Sequence, residues 1–309
     1  MYTKYYGLTK KPFDLIPDPE VVYMSETHKE AFAILKYGVI SKKSFLVLTA
    51  EVGIGKTTLL QALLDTIDVG IRVCMINNPL LKRDEFFSYI SEQFELPWDG
   101  NKAMFLLEFE RYLQLCYQRN ERVLLIIDEA QVLPVDLLEE VRLLSNMDVE
   151  GQDVLSIFLV GQPELNDQMR DERLLPLRQR IGIRFHLSLF NQEETKQYIL
   201  FRLRAAGSRQ LYIFTDEAMA VIHRVSKGTP RLINIVCDHA LISGFADSKP
   251  TISAELVEEC IAELHFPGEG DDLPLPQHLR KKSWKRLGGW ITGVLVVVVL
   301  LFFALQLLP

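Results

Sequence analysis

Short, uninterrupted apolar runs recur along the first half of the chain at Phe45–Thr49, Arg72–Ile76, Val123–Ile127 and Leu155–Val160. Each suits a strand buried on both faces. Between the runs, apolar residues return every third or fourth position, as Phe32, Leu35 and Val39 do. This spacing predicts helices near His28–Ser41, Thr57–Asp65, Arg83–Phe94, Lys102–Arg119 and Val135–Ser145. Strands alternating with helices predict an α/β fold, a parallel sheet covered on both faces. The first 25 residues, rich in aromatics and proline, read as irregular.

The texture changes near Asn191. From there to about His265 every segment has helical spacing: Gln192–Ala206, Asp216–Ser226, Pro230–Ala246 and Ser253–Leu264. Thr215 and Ser253 supply start signals, since a hydroxyl can accept from the first unpaired N–H groups of a helix. Residues 266–279 are rich in Pro, Gly and Asp and read as a linker. From Gly288 to Leu308 the chain is apolar, interrupted only by Thr292 and Gln306. Twenty helical residues at about 1.5 Å each span the roughly 30 Å hydrocarbon core of a membrane. The expected organisation is therefore an α/β domain over 1–190, a small helical domain over 191–265, a linker with a basic end over 266–286, and a transmembrane helix over 287–308.

Charge sharpens this organisation. The net charge is −7, and Arg280, Lys281, Lys282, Lys285 and Arg286 cluster just before the apolar stretch. Taking those five positives from −7 leaves −12 on the rest of the chain. An acidic body repels nucleic-acid phosphates, so nucleic acid is not an expected partner. The basic cluster, with Trp284 and Trp290 at the interface, places the N-terminal side of the span in the cytoplasm. No apolar run follows the charged N-terminus, so no signal peptide is expected. The four cysteines form no CxxC pair and the six histidines no HExxH cluster, so the cysteines read as small buried residues and no zinc site is expected.

The segment Ala50-Glu51-Val52-Gly53-Ile54-Gly55-Lys56-Thr57 follows a predicted strand and opens a predicted helix. A loop of this kind turns backbone N–H groups inward around phosphate oxygens at a helix N-terminus. Gly53 and Gly55 permit the dihedrals, Lys56 places a compact positive charge on the β- and γ-phosphates, and the Thr57 hydroxyl ligates Mg²⁺. Ala50 stands where glycine is usual, a departure the small side chain should tolerate with slight strain. ATP is expected on Glu51, Val52, Gly53, Ile54, Gly55, Lys56, Thr57 and Thr58. The strand Val123–Ile127 ends in Asp128-Glu129, 72 residues after Lys56. Acids there face the crevice beside the loop: Asp128 would hold Mg²⁺ and Glu129 would deprotonate the attacking water. The plainer alternative is an acidic helix start stabilised by the helix dipole.

Further polar positions follow. Gln162, after the strand Leu155–Val160, can hydrogen-bond the γ-phosphate or the water, or simply turn the chain. Arg178 and Arg180 sit beside apolar residues, where an arginine can stabilise transition-state charge in a neighbouring subunit's site. The two would point oppositely if the segment is extended. Arg231 follows Pro230 in a helix first turn and can reach the γ-phosphate from the helical domain. A solvated basic face is the alternative for all three arginines.

Together these residues resemble the AAA+ superfamily, and more narrowly the ATPases of the general secretion pathway protein A (ExeA-like) type. The narrower match runs through Tyr6-Gly7-Leu8, Pro12-Phe13, Pro17-Asp18-Pro19, Tyr23, Ser25, His28, the phosphate loop, Asp128-Glu129-Ala130-Gln131, Gly161-Gln162-Pro163-Glu164-Leu165, Leu177-Arg178-Gln179-Arg180-Ile181 and Gly228-Thr229-Pro230-Arg231-Leu232-Ile233-Asn234. It covers roughly residues 1–265. The resemblance implies that Gln162 is sensor 1, Arg180 the arginine finger and Arg231 sensor 2. It also implies an inner-membrane homo-oligomer that couples ATP hydrolysis to assembly of envelope-spanning machinery. Family members usually carry a peptidoglycan-binding domain beyond the membrane helix. Here an envelope or peptidoglycan-binding partner is expected to supply that contact. Two other readings remain: a nucleotide-gated DNA-binding regulator of the transposase-helper type, and an ATP-binding scaffold with little turnover.

Overall fold

A computed structural model describes residues 1–15, 22–41, 45–67, 70–77, 79–210 and 212–264. The predicted linker and transmembrane helix, and the Pro17-Asp18-Pro19 motif, lie outside the described residues. No helix among the described residues is long and apolar enough to cross a membrane. Residues Met1–Val257 form one unit, which holds everything below except the last residues of the final helix.

Five parallel strands make the sheet: β1 (Phe45–Ala50), β2 (Ile71–Ile76), β3 (Arg122–Ile127), β4 (Leu155–Gly161) and β5 (Ile181–Leu187), in the order β2-β3-β4-β1-β5. Burial along the strands explains which were legible. The central β1 and β4 are buried at every residue, and β3 at all but its first. Both faces of these strands meet apolar side chains, so they read as continuous runs. The edge strand β5 alternates instead, with Ile183 and Phe185 packing on the core and Gly182, Arg184 and His186 facing out. The expectation of an α/β core did not include this strand, because only alternate residues pack and it shows no continuous apolar run.

Helices α1 (Tyr2–Tyr5), α2 (Glu26–Ile40), α3 (Lys56–Leu64), α4 (Arg83–Gln93), α5 (Lys102–Gln118), α6 (Val135–Leu144), α7 (Glu164–Gln168) and α8 (Leu175–Arg180) surround the sheet or precede it. Odd and even positions of each strand face different layers. Phe45, Val47, Leu125, Ile127, Ile157 and Leu159 join Phe86, Phe87, Phe105 and Phe109 of α4 and α5. Leu46, Leu48, Leu124, Ile126, Phe158 and Val160 join Ala31, Leu35, Leu59 and Leu63 of α2 and α3. Cys74, Cys116, Cys237 and Cys260 are all buried, and none is in a disulfide. Burial pushes the Cys74 thiol up to about 12, which makes it an inert core residue.

The remaining helices are α9 (Gln192–Ala205), α10 (Asp216–Ser226), α11 (Pro230–Ala246) and α12 (Ala254–Glu263). Their starts are chemically ordinary. Asn191 and Glu194 cap α9 reciprocally, and the Thr215 hydroxyl accepts from Ala218 N–H at 3.1 Å. The first residues, expected to be irregular, contain the short α1 and lie over this helical part. Tyr2 donates to Asp238, Thr9 N–H to the Ala206 carbonyl at 2.8 Å, and Tyr6 to the Lys249 carbonyl at 3.0 Å. Arg202 of α9 returns the contact, with Nε donating to the Pro12 carbonyl at 2.6 Å.

Candidate functional site

Because β4 lies between β1 and β3, the carboxyl ends of these three strands are adjacent. The chain leaves β1 into residues 51–55, leaves β3 into Asp128 and Glu129, and leaves β4 into Gln162. Strand order therefore brings together groups that are remote in sequence.

The loop after β1 behaves as its glycines suggest. Gly53 has φ +77° and Gly55 φ +110°, the latter as N-cap of α3 with no side chain to cap the helix. The first N–H groups of α3 lack partners within the helix and so favour an anion at this end. Lys56 is 5% exposed, and its ammonium donates to the carbonyls of Ala50 at 3.0 Å and Glu51 at 3.2 Å. Among the described residues no carboxylate pairs with it. A buried ammonium bonded only to neutral oxygens fits an anionic ligand at the loop. Ala50, the departure from the usual glycine, is the buried last residue of β1.

The loop is held from two sides. Buried His28 of α2 lies 3.2 Å from the Ile54 carbonyl through Nε2 and 2.8 Å from the Ser25 hydroxyl through Nδ1. A carbonyl can only accept, so Nε2 carries the proton and Nδ1 accepts from Ser25. Burial lowers the pKa of His28, only partly offset by the Ile54 bond and Glu194, which favours this neutral form. From the helical part, Arg231 N–H donates to the Gly53 carbonyl at 3.2 Å. A Cβ on Gly53 would stand 2.8 Å from that of Arg231, so this close approach also requires glycine.

Thr57 Oγ1 donates to Asp128 Oδ2 at 3.1 Å, while Asp128 Oδ1 accepts from Glu129 N–H at 2.9 Å. Asp128 is 3% exposed, and burial raises its carboxyl above the usual range despite those two donors and Lys56. A hydroxyl beside a desolvated carboxylate is a hard oxygen pair of the kind Mg²⁺ takes, completed by water and phosphate. The residues present fit that ion.

Glu129 has φ +53°, a left-handed conformation that costs a non-glycine residue. Its Oε2 accepts from Gln131 Nε2 at 2.6 Å and from Gln162 Nε2 at 3.0 Å. Burial works against its ionisation, but the Gln162 and Gln131 amides and Lys56 outweigh it and hold the carboxyl below its usual range. Glu129 is thus an ionised carboxylate at the cavity wall, as a base for water must be.

The loop, Glu129 and the helical part line a cavity of about 460 Å³. Val52 to Leu59, Glu129 and Arg231 line its floor, and Tyr23, Phe190 and Tyr198 form an aromatic wall with ring centroids 5.3–5.5 Å apart. An aromatic wall facing a phosphate loop has the chemistry of a base-and-phosphate site. Glu51 is exposed beside the loop and Thr58 lies in the first turn of α3.

The two arginines stand apart from this cavity. The segment that holds them is helical, not extended, ending α8 at Arg180. Residues two apart on a helix are about 200° apart, so they still diverge. Arg178 Nη1 donates to the Met169 carbonyl at 3.0 Å. Arg180 is exposed, and its Nη1 caps the end of α6 at the Ser145 carbonyl, 2.9 Å away. Sequence reasoning missed His28 and Gln131 as site residues. Both stood inside recognisable motifs, but nothing in their own spacing announced what they touch.

Comparisons with known proteins agree with this geometry. A family model described as an AAA domain matches residues 39–169. General secretion pathway protein A of Aeromonas hydrophila is 41% identical over 249 residues, 80% of this chain and 45% of that protein. The chain therefore spans a little under half the length of that relative. Among solved structures, the fold resembles the Aeropyrum pernix ORC2 protein in ADPNP–ADP complexes (TM-score 0.59, 19% identity, 82% of this chain and 71% of that one). It also resembles Cdc6p from Pyrobaculum aerophilum (TM-score 0.63, 16% identity, 82% and 71%) and Drosophila ORC bound to DNA (TM-score 0.64, 15% identity, 85% and 65%). With β1 to α3, β3 to Glu129 and β4 to Gln162 all inside the matched span, this chain belongs to the AAA proteins and is a relative of general secretion pathway protein A.

Proposed function

We propose that the chain is a Mg²⁺-dependent ATPase that works as a membrane-anchored homo-oligomer to drive or switch assembly of a cell-envelope secretion or export machine. One observation carries the ATPase reading: buried Lys56, the Thr57–Asp128 pair and ionised Glu129 meet at one end of the sheet, at a cavity wide enough for a nucleotide. Lys56 and the first turn of α3 would take the phosphates. Thr57 and Asp128 would hold Mg²⁺, which when bound neutralises phosphate charge. Glu129 takes the proton of the attacking water, Gln162 orients it, and Arg231 brings a second positive charge from α11. Arg180 lies outside its own chain's cavity, which supports a role in the site of the next copy. The secretion-machine reading leans on the relative from Aeromonas hydrophila. The anchor, at the inner membrane with the ATPase part cytoplasmic, leans on the apolar stretch 287–308 and the basic cluster before it.

Two variants test the role assignments. Lys56→Ala should abolish ATP binding, because the phosphates lose their main counter-charge. Glu129→Gln should bind ATP as the unaltered protein does and stop phosphate release. Equal loss of binding in both, by equilibrium titration, would contradict the assignment.

A further inference from the structure

The residue that the hydrolysis reading leaves without a role is Gln131, in the single turn Ala130–Val132 that follows Glu129. Its side chain bridges two elements. Nε2 donates to Glu129 Oε2 at 2.6 Å, and Oε1 accepts from the main-chain N–H of Gln162 at 3.0 Å. This pairing has one consistent orientation, because a carboxylate can only accept and a backbone N–H can only donate. The amide therefore ties the Glu129 carboxylate to the end of β4.

Two independent features show that the site is shaped around this bridge. Gly161 precedes Gln162, and a Cβ there would stand 2.7 Å from Gln131 Oε1 and 3.3 Å from Gln131 N. Glycine at 161 is the room Gln131 occupies. Glu129 itself sits at φ +53°, a backbone conformation that persists only where surrounding bonds hold it. Gln131 and Gln162 both donate to Oε2. Among the described residues no donor is bonded to Oε1, which is left to accept from water.

Resting on the hydrolysis reading above, we infer that Gln131 is a positioning residue: it fixes the Glu129 carboxylate against the end of β4 and reserves Oε1 for the attacking water. It does not line the cavity, and acts through Glu129 and Gln162. Its loss should therefore lower turnover without weakening nucleotide binding.

The test uses the full chain with Gln131→Met, which keeps length and removes both hydrogen bonds. A bond to a charged acceptor of this kind predicts a fall in kcat of about 10- to 100-fold. KM, and affinity for a slowly hydrolysed ATP analogue, should stay within about threefold. After incubation with ATP, nucleotide recovered from the variant should be mainly intact ATP where the unaltered protein yields ADP. Adding Gln162→Met should cost less than the product of the two single losses, since both amides serve one oxygen. Gln131→Glu keeps the acceptor for Gln162 but replaces the donor with a charge that repels Glu129. It should lose kcat as well, and it carries the test if the methionine variant does not fold. An unchanged kcat, a parallel loss of binding and thermal stability, or a multiplicative double variant would each overturn the inference. An unaltered protein that binds ATP but never turns it over would instead remove the hydrolysis reading, and this inference with it.

Discussion

Gly228 offers the most quantitative handle on how the helical part is set against the nucleotide loop. It has φ +82° and packs directly on the chain entering α9. A Cβ there would lie 1.9 Å from the Phe190 carbonyl oxygen and 2.8 Å from its carbon. Phe190 N–H also donates to the Gly228 carbonyl at 3.1 Å. Alanine must therefore either take up a left-handed conformation against backbone atoms or push the two segments apart. The conformation costs about 1–2 kcal/mol. Overpacking against backbone adds about 1–3 kcal/mol, and the strained hydrogen bond about 1 kcal/mol more. Gly100 is the matched control, with φ +85° and nothing within 4 Å of its Cβ position. Gly100→Ala should cost only the conformational part. The difference, about 2–4 kcal/mol, corresponds to a melting temperature lower by roughly 4–8 °C for a unit the size of Met1–Val257. The displaced segment leads into α11, whose Arg231 N–H holds the Gly53 carbonyl at 3.2 Å, so ATP affinity should fall in Gly228→Ala and not in Gly100→Ala. Equal melting temperatures for the two variants would refute the reasoning.

Other outcomes follow from the site. Arg180→Ala should bind ATP normally, lose hydrolysis by up to about 10³–10⁵, and regain it when mixed with Lys56→Ala subunits. If the mixture stays inactive while the two variants co-assemble, the arginine does not act across an interface. The lowered pKa of His28 means the unfolded chain takes up a proton before the folded one does. Its stabilising contribution is full above about pH 6.5 and is lost as pH falls from there toward the lower folded value. His223, also lowered by burial, acts in the same direction. The measurement is therefore the difference in urea midpoints between the unaltered protein and His28→Gln across pH 5–8, and a constant difference would count against the buried neutral form. Truncation after Asp272 should leave a soluble chain that still binds ATP, and full-length protein found in the soluble fraction without detergent would sink the membrane proposal.

Much of the fold is local in origin. The central strands are apolar at nearly every position because both faces are covered, and the long helices repeat at their own period, so a short window of residues suffices for either. The phosphate loop was legible for the same reason: its glycines, Lys56 and Thr57 act within a few residues of one another. The edge strand β5 was not, since only one of its faces packs and its alternation is carried by few residues. Nor was the short helix that ends at Arg180, or the packing of the first aromatic residues over the helical part. Tertiary structure decided the rest of the site. Glu129, Gln131 and Gln162 share one carboxylate oxygen and one backbone N–H only because β4 is laid between β3 and β1. His28 reaches the Ile54 carbonyl only because α2 packs on the face where α3 begins. A hydrogen bond between residues tens of positions apart depends on strand order and on how helices cover the sheet. Those are set by burial of the whole core, and no local pattern of residues encodes them.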